Sequence, residues 1–312
     1  MKKCTFGPVL SRRLGRSLGI DLFPDKICSF DCIYCECGPT RIKTIKRENF
    51  MDPEIVLAEI AEAVKVHQPD VVTFSGSGEP TLFLDMEYLA EEIRKITDKP
   101  LVMITNSSLL FMPEVQKSLL NFDMVLPSLD SAGLYTFNLV NRPHPKLSLQ
   151  EIIRGLAEFS HAFKGKLWLE ILLCEGVNDT EEDIRDLTRA LKDIRTDQIQ
   201  INSVDRPPAY QSARSLSREK LAEFAQRLNG TVISRGADPE APGKTSPDEK
   251  NLLNSLSRRP ETLEALAAAF SCSAGEMERL LARLENKGLV GRDELNGQTY
   301  FRALPMKNDH SK

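Results

Sequence analysis

The 312-residue sequence lacks any uninterrupted apolar run approaching the roughly 18 residues that a membrane-spanning helix requires. Its first residues, Met1-Lys2-Lys3-Cys4-Thr5-Phe6-Gly7-Pro8, lack the apolar core of a secretory signal. Neither sign of charge dominates. The 41 Lys and Arg face 45 Asp and Glu, and the net charge of −4 gives no general attraction for nucleic acid or an anionic membrane. A cytoplasmic location without membrane contact is the expectation. No internal repeat is visible. The seven cysteines are odd in number and three are clustered, which suits reduced thiols and a metal site better than a disulfide framework. What is present is ordinary for a folded chain in water: 41% hydrophobic and 28% charged residues, in a length sufficient for one large domain and a small one.

Within residues 17–234, short apolar runs alternate with helical spacings. Strands are predicted at 17–23, 71–74, 101–104, 124–126, 167–173, 199–201 and 231–234. Helices are predicted at 53–67, 85–96, 113–120, 149–163, 181–194 and 218–228. Asp52 before Pro53 is the expected N-cap of the first helix. Residues 4–16, with Gly7-Pro8 and Gly15, read as irregular. Strands that are apolar on both faces, separated by amphipathic helices, imply a parallel sheet with helices outside. About six such units fall short of the eight that close a barrel. The predicted class is therefore α/β, a partial (β/α)6 TIM-like barrel over residues 1–235, with functional groups at the C-terminal ends of its strands.

A Gly- and Pro-rich linker is expected at 236–247, a small domain at 248–305 and a tail at 306–312. Helices at 248–258, at 262–270 and from the Ser273 cap to Gly288 precede two short strands around Asn296-Gly297, a hairpin signal. This pattern resembles a winged helix-turn-helix. Its third helix carries Glu276, Glu278, Arg279, Arg283, Glu285 and Lys287, and residues 248–312 hold ten Lys and Arg against ten Asp and Glu. A DNA reader carries a basic stripe, so the balance favours protein docking or substrate presentation over nucleic acid.

The chemistry centres on Cys28-Ser29-Phe30-Asp31-Cys32-Ile33-Tyr34-Cys35. A zinc site would need a fourth ligand at a matching spacing, and none is clear. Three closely spaced thiols suit a [4Fe–4S] cluster held by Cys28, Cys32 and Cys35, with the fourth iron open. Ser75-Gly76-Ser77-Gly78-Glu79-Pro80 follows a predicted strand, and its glycines let the backbone approach a ligand and expose N–H groups. Thr105-Asn106-Ser107-Ser108, Pro127-Ser128-Leu129-Asp130 and Asn141-Arg142-Pro143 lie beyond later strands on the same rim. Asn106 suits a ligand's carboxylate or ribose, or a helix-capping turn. Arg142 suits a carboxylate or phosphate, or a surface ion pair. Glu170 within an apolar strand faces either the interior or the outside. Lys26 beside the cysteines is open to imine formation with a carbonyl or simply to solvation. No catalytic residue is assigned.

The C-x3-C-x2-C spacing, with an aromatic residue before the third cysteine, resembles the signature of the radical S-adenosylmethionine (radical SAM) superfamily. The resemblance implies a partial barrel and a cluster whose open iron is chelated by the amino and carboxylate groups of SAM. One electron then cleaves SAM to a 5′-deoxyadenosyl radical that abstracts hydrogen from a substrate, here unidentified. It also implies a low-potential electron donor, a flavodoxin or ferredoxin. By the same resemblance Tyr34 contacts the adenine. Gly76, Gly78, Glu79 and Pro80 form a Gly-Glu-Pro variant of the segment that binds the methionyl amino group, and Ser128 and Asp130 meet the ribose or carboxylate. Asn141 and Arg142 are further candidates for SAM or substrate.

Phe6-Gly7-Pro8, Ser11-Arg12-Arg13-Leu14-Gly15, Tyr34-Cys35-Glu36-Cys37-Gly38, Gly-Glu-Pro-Thr, Asn141-Arg142-Pro143 and Arg206-Pro207-Pro208 resemble one branch of the superfamily. That branch is grouped with the enzymes that build the wyosine base on tRNA. Those enzymes carry a second cluster on additional upstream cysteines, and here only Cys4 lies upstream. Cys37, Cys174 and Cys272 are scattered and read as packed or free thiols, unless Cys4, Cys37 and Cys174 converge. The alternatives to a single-cluster enzyme are a tRNA-modifying wyosine-type synthase and an Fe–S redox sensor acting through DNA.

Overall fold

The computed structural model describes residues 3–11, 13–233, 248–270 and 272–304. The expected linker at 236–247 and tail at 306–312 lie outside the described residues. In chain order the elements are β1 (Thr5–Ser11), β2 (Gly15–Ile20), β3 (Ile27–Cys28), β4 (Ile42–Lys43), α1 (Pro53–His67), β5 (Val71–Phe74), α2 (Met86–Ile96), β6 (Leu101–Thr105), α3 (Pro113–Leu119) and β7 (Met124–Pro127). They continue with α4 (Leu134–Val140), α5 (Leu149–Ala162), β8 (Lys166–Leu173), α6 (Glu181–Leu191), β9 (Gln198–Ser203), α7 (Arg218–Arg227) and β10 (Thr231–Val232). A C-terminal unit holds α8 (Glu249–Leu256), α9 (Leu263–Ala269), α10 (Ala274–Asn286), β11 (Val290–Leu295) and β12 (Gln298–Ala303).

Eight strands form one sheet in the order β1-β2-β5-β6-β7-β8-β9-β10. Every pairing from β2 to β10 is parallel, and only β1–β2 is antiparallel. The parallel part follows from strands such as Val71-Val72-Thr73-Phe74 and Met124-Val125-Leu126, whose buried residues leave no solvent face. On β8 the pattern alternates instead. Leu167, Leu169, Ile171 and Leu173 are buried, while Trp168, Glu170 and Leu172 between them are only half-buried. Asp52 caps α1 by accepting from the Glu54 N–H, with Pro53 in the first turn, as its sequence predicts.

Two parts differ from the sequence reading. Residues 5–11, expected to be irregular, form the edge strand β1. Its register with β2 shifts between Phe6 and Val9, so Gly7-Pro8 is absorbed in a bulge where the missing proline N–H costs no ladder bond. Helix α4 was not expected at all. Leu134, Tyr135 and Leu139 on it are exposed, so its sequence shows no one-sided apolar pattern.

The C-terminal unit has its own core of Leu252, Leu256, Leu266, Met277, Leu280, Leu281, Leu284 and Phe301. Ser273 and Glu276 form a capping box on α10, and Asn296-Gly297 makes the two-residue turn of the β11–β12 hairpin, both with positive φ. The unit packs against β1, covering the sheet edge. Asn254 Nδ2 donates to Thr5 O (2.8 Å) and Tyr300 OH to Asp205 O (2.8 Å).

Candidate active site

The segments following β2, β5, β6, β7 and α4 are tied together at the C-terminal ends of the parallel strands. The cysteine loop leaves β2 and is pinned at its base by the β3–β4 pair. Inside it, Thr40 donates its N–H to Asp31 Oδ1 (2.8 Å) and its hydroxyl to Phe30 O (2.8 Å). Asp31 and Ile33 N–H groups donate to Asn141 O (3.0 Å) and Val140 O (2.9 Å), joining the loop to the end of α4.

Each of the three clustered thiols has a nitrogen donor aimed at its sulfur. Asn106 Nδ2 lies 3.5 Å from Cys28 Sγ, Asn141 Nδ2 3.5 Å from Cys32 Sγ and Lys26 Nζ 3.1 Å from Cys35 Sγ. Burial raises the Cys28 and Cys32 thiols; Lys26 works against it at Cys28, whereas Asp130 adds to it at Cys32. Cys35 behaves oppositely. The hydrogen-bonded Cys37 side chain, followed by the Lys26 ammonium, outweighs burial and holds Cys35 down at about 5. The single Cys37 proton faces both that sulfur and the Gly76 carbonyl, 3.2 Å away. Burial opposes the charge of Lys26, but the Cys35, Cys37 and Cys28 sulfurs win and raise its pKa above the ordinary lysine value. Lys26 is thus buried against sulfur rather than solvated. In the metal-free protein, alkylation at about pH 6.5 is expected to label Cys35 well before Cys28 or Cys32, read by peptide mass spectrometry.

Among the described residues no three His, Cys, Asp or Glu side chains converge on a single ion. A [4Fe–4S] cluster does not ask for that, because each thiolate takes a different iron and the ligands surround the cluster. The donor set suits it, since N–H groups aimed at sulfur stabilise thiolate charge.

Glu79 is 2% exposed. Its carboxylate accepts from Thr81 N–H (3.0 Å) and hydroxyl (2.7 Å), Thr105 hydroxyl (2.6 Å) and Asn106 N–H (2.7 Å). It caps the short 3₁₀ turn Pro80–Leu82 and ties the β5 turn to the end of β6. Gly78 is required sterically: a Cβ there would lie 2.3 Å from Ile27 O and 2.4 Å from the Phe23 ring.

Asp130, 3% exposed, accepts from Tyr34 OH (2.5 Å), Asn141 Nδ2 (2.7 Å) and the Leu172 N–H (2.9 Å). Burial nevertheless raises its carboxyl above the usual range. Since Asn141 Nδ2 is fixed by the carboxylate, its Oδ1 points elsewhere, and among the described residues that buried oxygen has no hydrogen-bond partner. Ser128 bridges Glu170 across β7–β8 through the backbone. Arg142 stacks its guanidinium 4.2 Å over the Tyr210 ring, whose hydroxyl donates to Asp31.

Residues 24–188 match the Radical SAM superfamily. The chain belongs to that superfamily. It is 39% identical over 73% of its length to a UPF0026 protein of Methanocaldococcus jannaschii, covering 71% of that relative. It is 35% identical over 95% of its length to a protein named GTPase Obg from Brachyspira hyodysenteriae, of which it spans only 44%. Its fold is similar to a radical SAM methyltransferase of Sphaerobacter thermophilus, with a TM-score of 0.51, 17% identity and coverage of 71% of this chain and 68% of that one. Membership implies an enzyme with a [4Fe–4S] cluster, SAM, an electron donor and a substrate.

For a radical SAM protein the surroundings of the site are informative. A cavity of about 580 Å³ runs from the Tyr34–Cys37 segment across the inner sheet face to α9 of the C-terminal unit. Its floor is polar. Arg13 Nη1 donates to Glu170 (3.0 Å) and Gln200 (2.7 Å), and Asn202 Nδ2 donates to Glu170 (2.5 Å). Glu170 therefore faces the interior. At the seam, Arg206 pairs with Glu36 (3.1 Å) and Glu261 (3.3 Å); burial opposes its charge, and the two carboxylates more than offset it. Arg13 lies in a motif of the N-terminal branch resemblance, but sequence reasoning gave it no role. Asp21 and Arg258 carry no motif and were missed. Cys4 packs near Val56 O, and Cys174 lies with Ile33 and Val204, so neither joins Cys37 in a second thiol site.

Proposed function

We propose that this chain uses one [4Fe–4S] cluster, held by Cys28, Cys32 and Cys35, to cleave SAM reductively and abstract hydrogen from a small-molecule substrate. When bound, the cluster supplies the electron that converts SAM to methionine and the 5′-deoxyadenosyl radical. The observation that carries the reading is the set of three thiols, each with its own N–H donor, gathered at the strand ends beside a buried, unpartnered Asn141 Oδ1.

The remaining steps belong to the protein. Asn106, Asn141 and Lys26 hold the thiolates. The Ser75–Pro80 backbone, including Gly76 and Gly78, offers polar groups to the methionyl end. Glu79 braces that turn, its carboxylate being committed to Thr81, Thr105 and Asn106. Asn141 Oδ1 accepts from a ribose hydroxyl. Tyr34, fixed by Asp130, presents its ring to the adenine, with Ser128 on the same rim and Arg142 outside on Tyr210. The cavity size lies in the small-molecule range, and its Arg13–Glu170–Asn202 floor recognises a polar substrate.

In this reading the sheet is the partial (β/α)6 barrel and the C-terminal unit a winged helix that packs on the site. Three of its basic residues are engaged within the unit: Arg283 and Lys287 pair with Glu249, and Arg292 with Glu285. That favours a role within the enzyme over nucleic-acid binding. The branch resemblance to wyosine synthases stands for ancestry. With Cys4 and Cys174 packed apart, we propose one cluster and not the tRNA chemistry. A flavodoxin or ferredoxin supplies the electron, in the cytoplasm. Among the described residues no helix is long and apolar enough to cross a membrane. The test is SAM cleavage by the reconstituted protein with and without cell extract. A small-molecule fraction that accelerates 5′-deoxyadenosine release supports the reading, and acceleration by RNA alone would overturn the small-substrate assignment.

A further inference from the structure

Although it lies far along the chain from every assigned residue, the C-terminal unit reaches the Ser75–Gly78 turn through the buried side chain of Arg258. Arg258, just beyond α8, donates from Nε to Asp21 Oδ2 at 3.0 Å, and the two side chains are 1% and 0% exposed. Asp21 also accepts from the Ser77 N–H (3.2 Å) and hydroxyl (2.8 Å). It lies flush against Gly76, where an added Cβ would fall 2.6 Å from Asp21 Cγ. The other end of the guanidinium is anchored on Asn254 O (2.7 Å) and Lys3 O (2.5 Å), and its plane lies over the Phe6 ring at 4.8 Å. One buried ion pair therefore joins the C-terminal unit, the N-terminal strand and the Ser75–Gly78 turn.

A buried pair adds little net stability, because desolvation offsets the attraction. Its physical effect here is positional. Anchored at its far end, the guanidinium fixes where the Asp21 carboxylate sits, and the carboxylate fixes Ser77 and the backbone of Gly76. Without Arg258, Asp21 loses the guanidinium that fixes its position, and the buried carboxylate is free to shift or to admit water. Either response shifts the turn.

We propose that the C-terminal unit is a working part of the SAM site, and that Arg258 is a positioning residue which holds the Ser75–Gly78 turn through Asp21, an assignment that rests on the SAM reading of that turn given above. The test uses the full chain with Arg258→Gln, Arg258→Lys and Tyr300→Phe, the last removing a docking bond at the same interface away from Asp21. Amide hydrogen exchange at residues 75–78 is measured on cluster-free protein, and iron content and SAM binding on reconstituted protein. Arg258→Gln is expected to accelerate exchange at the turn and weaken SAM binding by at least about tenfold with iron content unchanged. Arg258→Lys shows a smaller acceleration, and Tyr300→Phe matches the wild type. Wild-type exchange and affinity in Arg258→Gln, or the same losses in Tyr300→Phe, would overturn the proposal. Should Arg258→Gln fail to fold, Arg258→Lys decides: faster exchange supports the role and unchanged exchange ends it. A wild-type protein that binds no SAM defeats the SAM reading, while the exchange comparison still reports whether Arg258 holds the turn.

Discussion

Replacing any one of Cys28, Cys32 or Cys35 by alanine is expected to reduce reconstituted iron from about four per chain to less than about one, and to abolish SAM cleavage. The reason is geometric. Each thiolate would hold a separate iron, and the neighbouring Cys37 thiol is turned to the Gly76 carbonyl. Cys37 is the sharpest comparison, since it lies only two residues from Cys35 and is hydrogen-bonded to it. Its proton is shared with the Gly76 carbonyl and its side chain lines the cavity. Cys37→Ala is therefore expected to retain about four irons. Iron content and the visible absorption of the reconstituted proteins check this. Loss of the cluster in Cys37→Ala, with retention in Cys35→Ala, would move the third ligand two residues along the chain.

Asp130→Ala has the second large expected effect. Asp130 is buried and satisfies three donors at once: the Tyr34 hydroxyl, the Asn141 amide and the Leu172 N–H. Alanine leaves all three without this acceptor, the Asn141 amide fully buried, at a cost of about 3–5 kcal/mol. The functional loss is larger than the stability loss suggests. Tyr34 and Asn141 both lean on this carboxylate, one beside Cys35 and the other against Cys32. A side chain released by about an ångström costs on the order of 10²-fold in rate. SAM cleavage in Asp130→Ala should fall by at least that factor, even where iron loading is restored. Asp130→Asn keeps one acceptor oxygen and is expected to fall between the two. Denaturant unfolding and 5′-deoxyadenosine release measure the two effects separately.

The cysteine loop was legible because its chemistry is local: three thiols within eight residues declare a ligand set before any fold is known. The parallel strands were legible for a similar reason, as Val71–Phe74 and Met124–Pro127 bury their residues on both faces. The turn chemistry of Asn296-Gly297 and the Asp52-Pro53 start of α1 also need only neighbours along the chain. What escaped depends on distant partners. Strand β1 is hidden by Gly7-Pro8 and becomes a strand only because β2 offers a ladder with a bulge at that dipeptide. Lys26 reads as a solvated lysine until the fold surrounds it with sulfur. The donors that Glu79 and Asp130 accept from, on Thr105, Asn106, Asn141 and Leu172, sit on other segments and are invisible along the chain. Arg258 gives no sequence signal, because its partner Asp21 lies 237 residues away.

Anaerobic reconstitution of the wild-type chain, followed by dithionite and SAM, tests the central claim most directly. The expected result is about four irons per chain in a single cluster, with release of 5′-deoxyadenosine. A protein that loads iron and yields no 5′-deoxyadenosine would contradict the enzyme and favour a redox sensor, and about eight irons would contradict the single cluster.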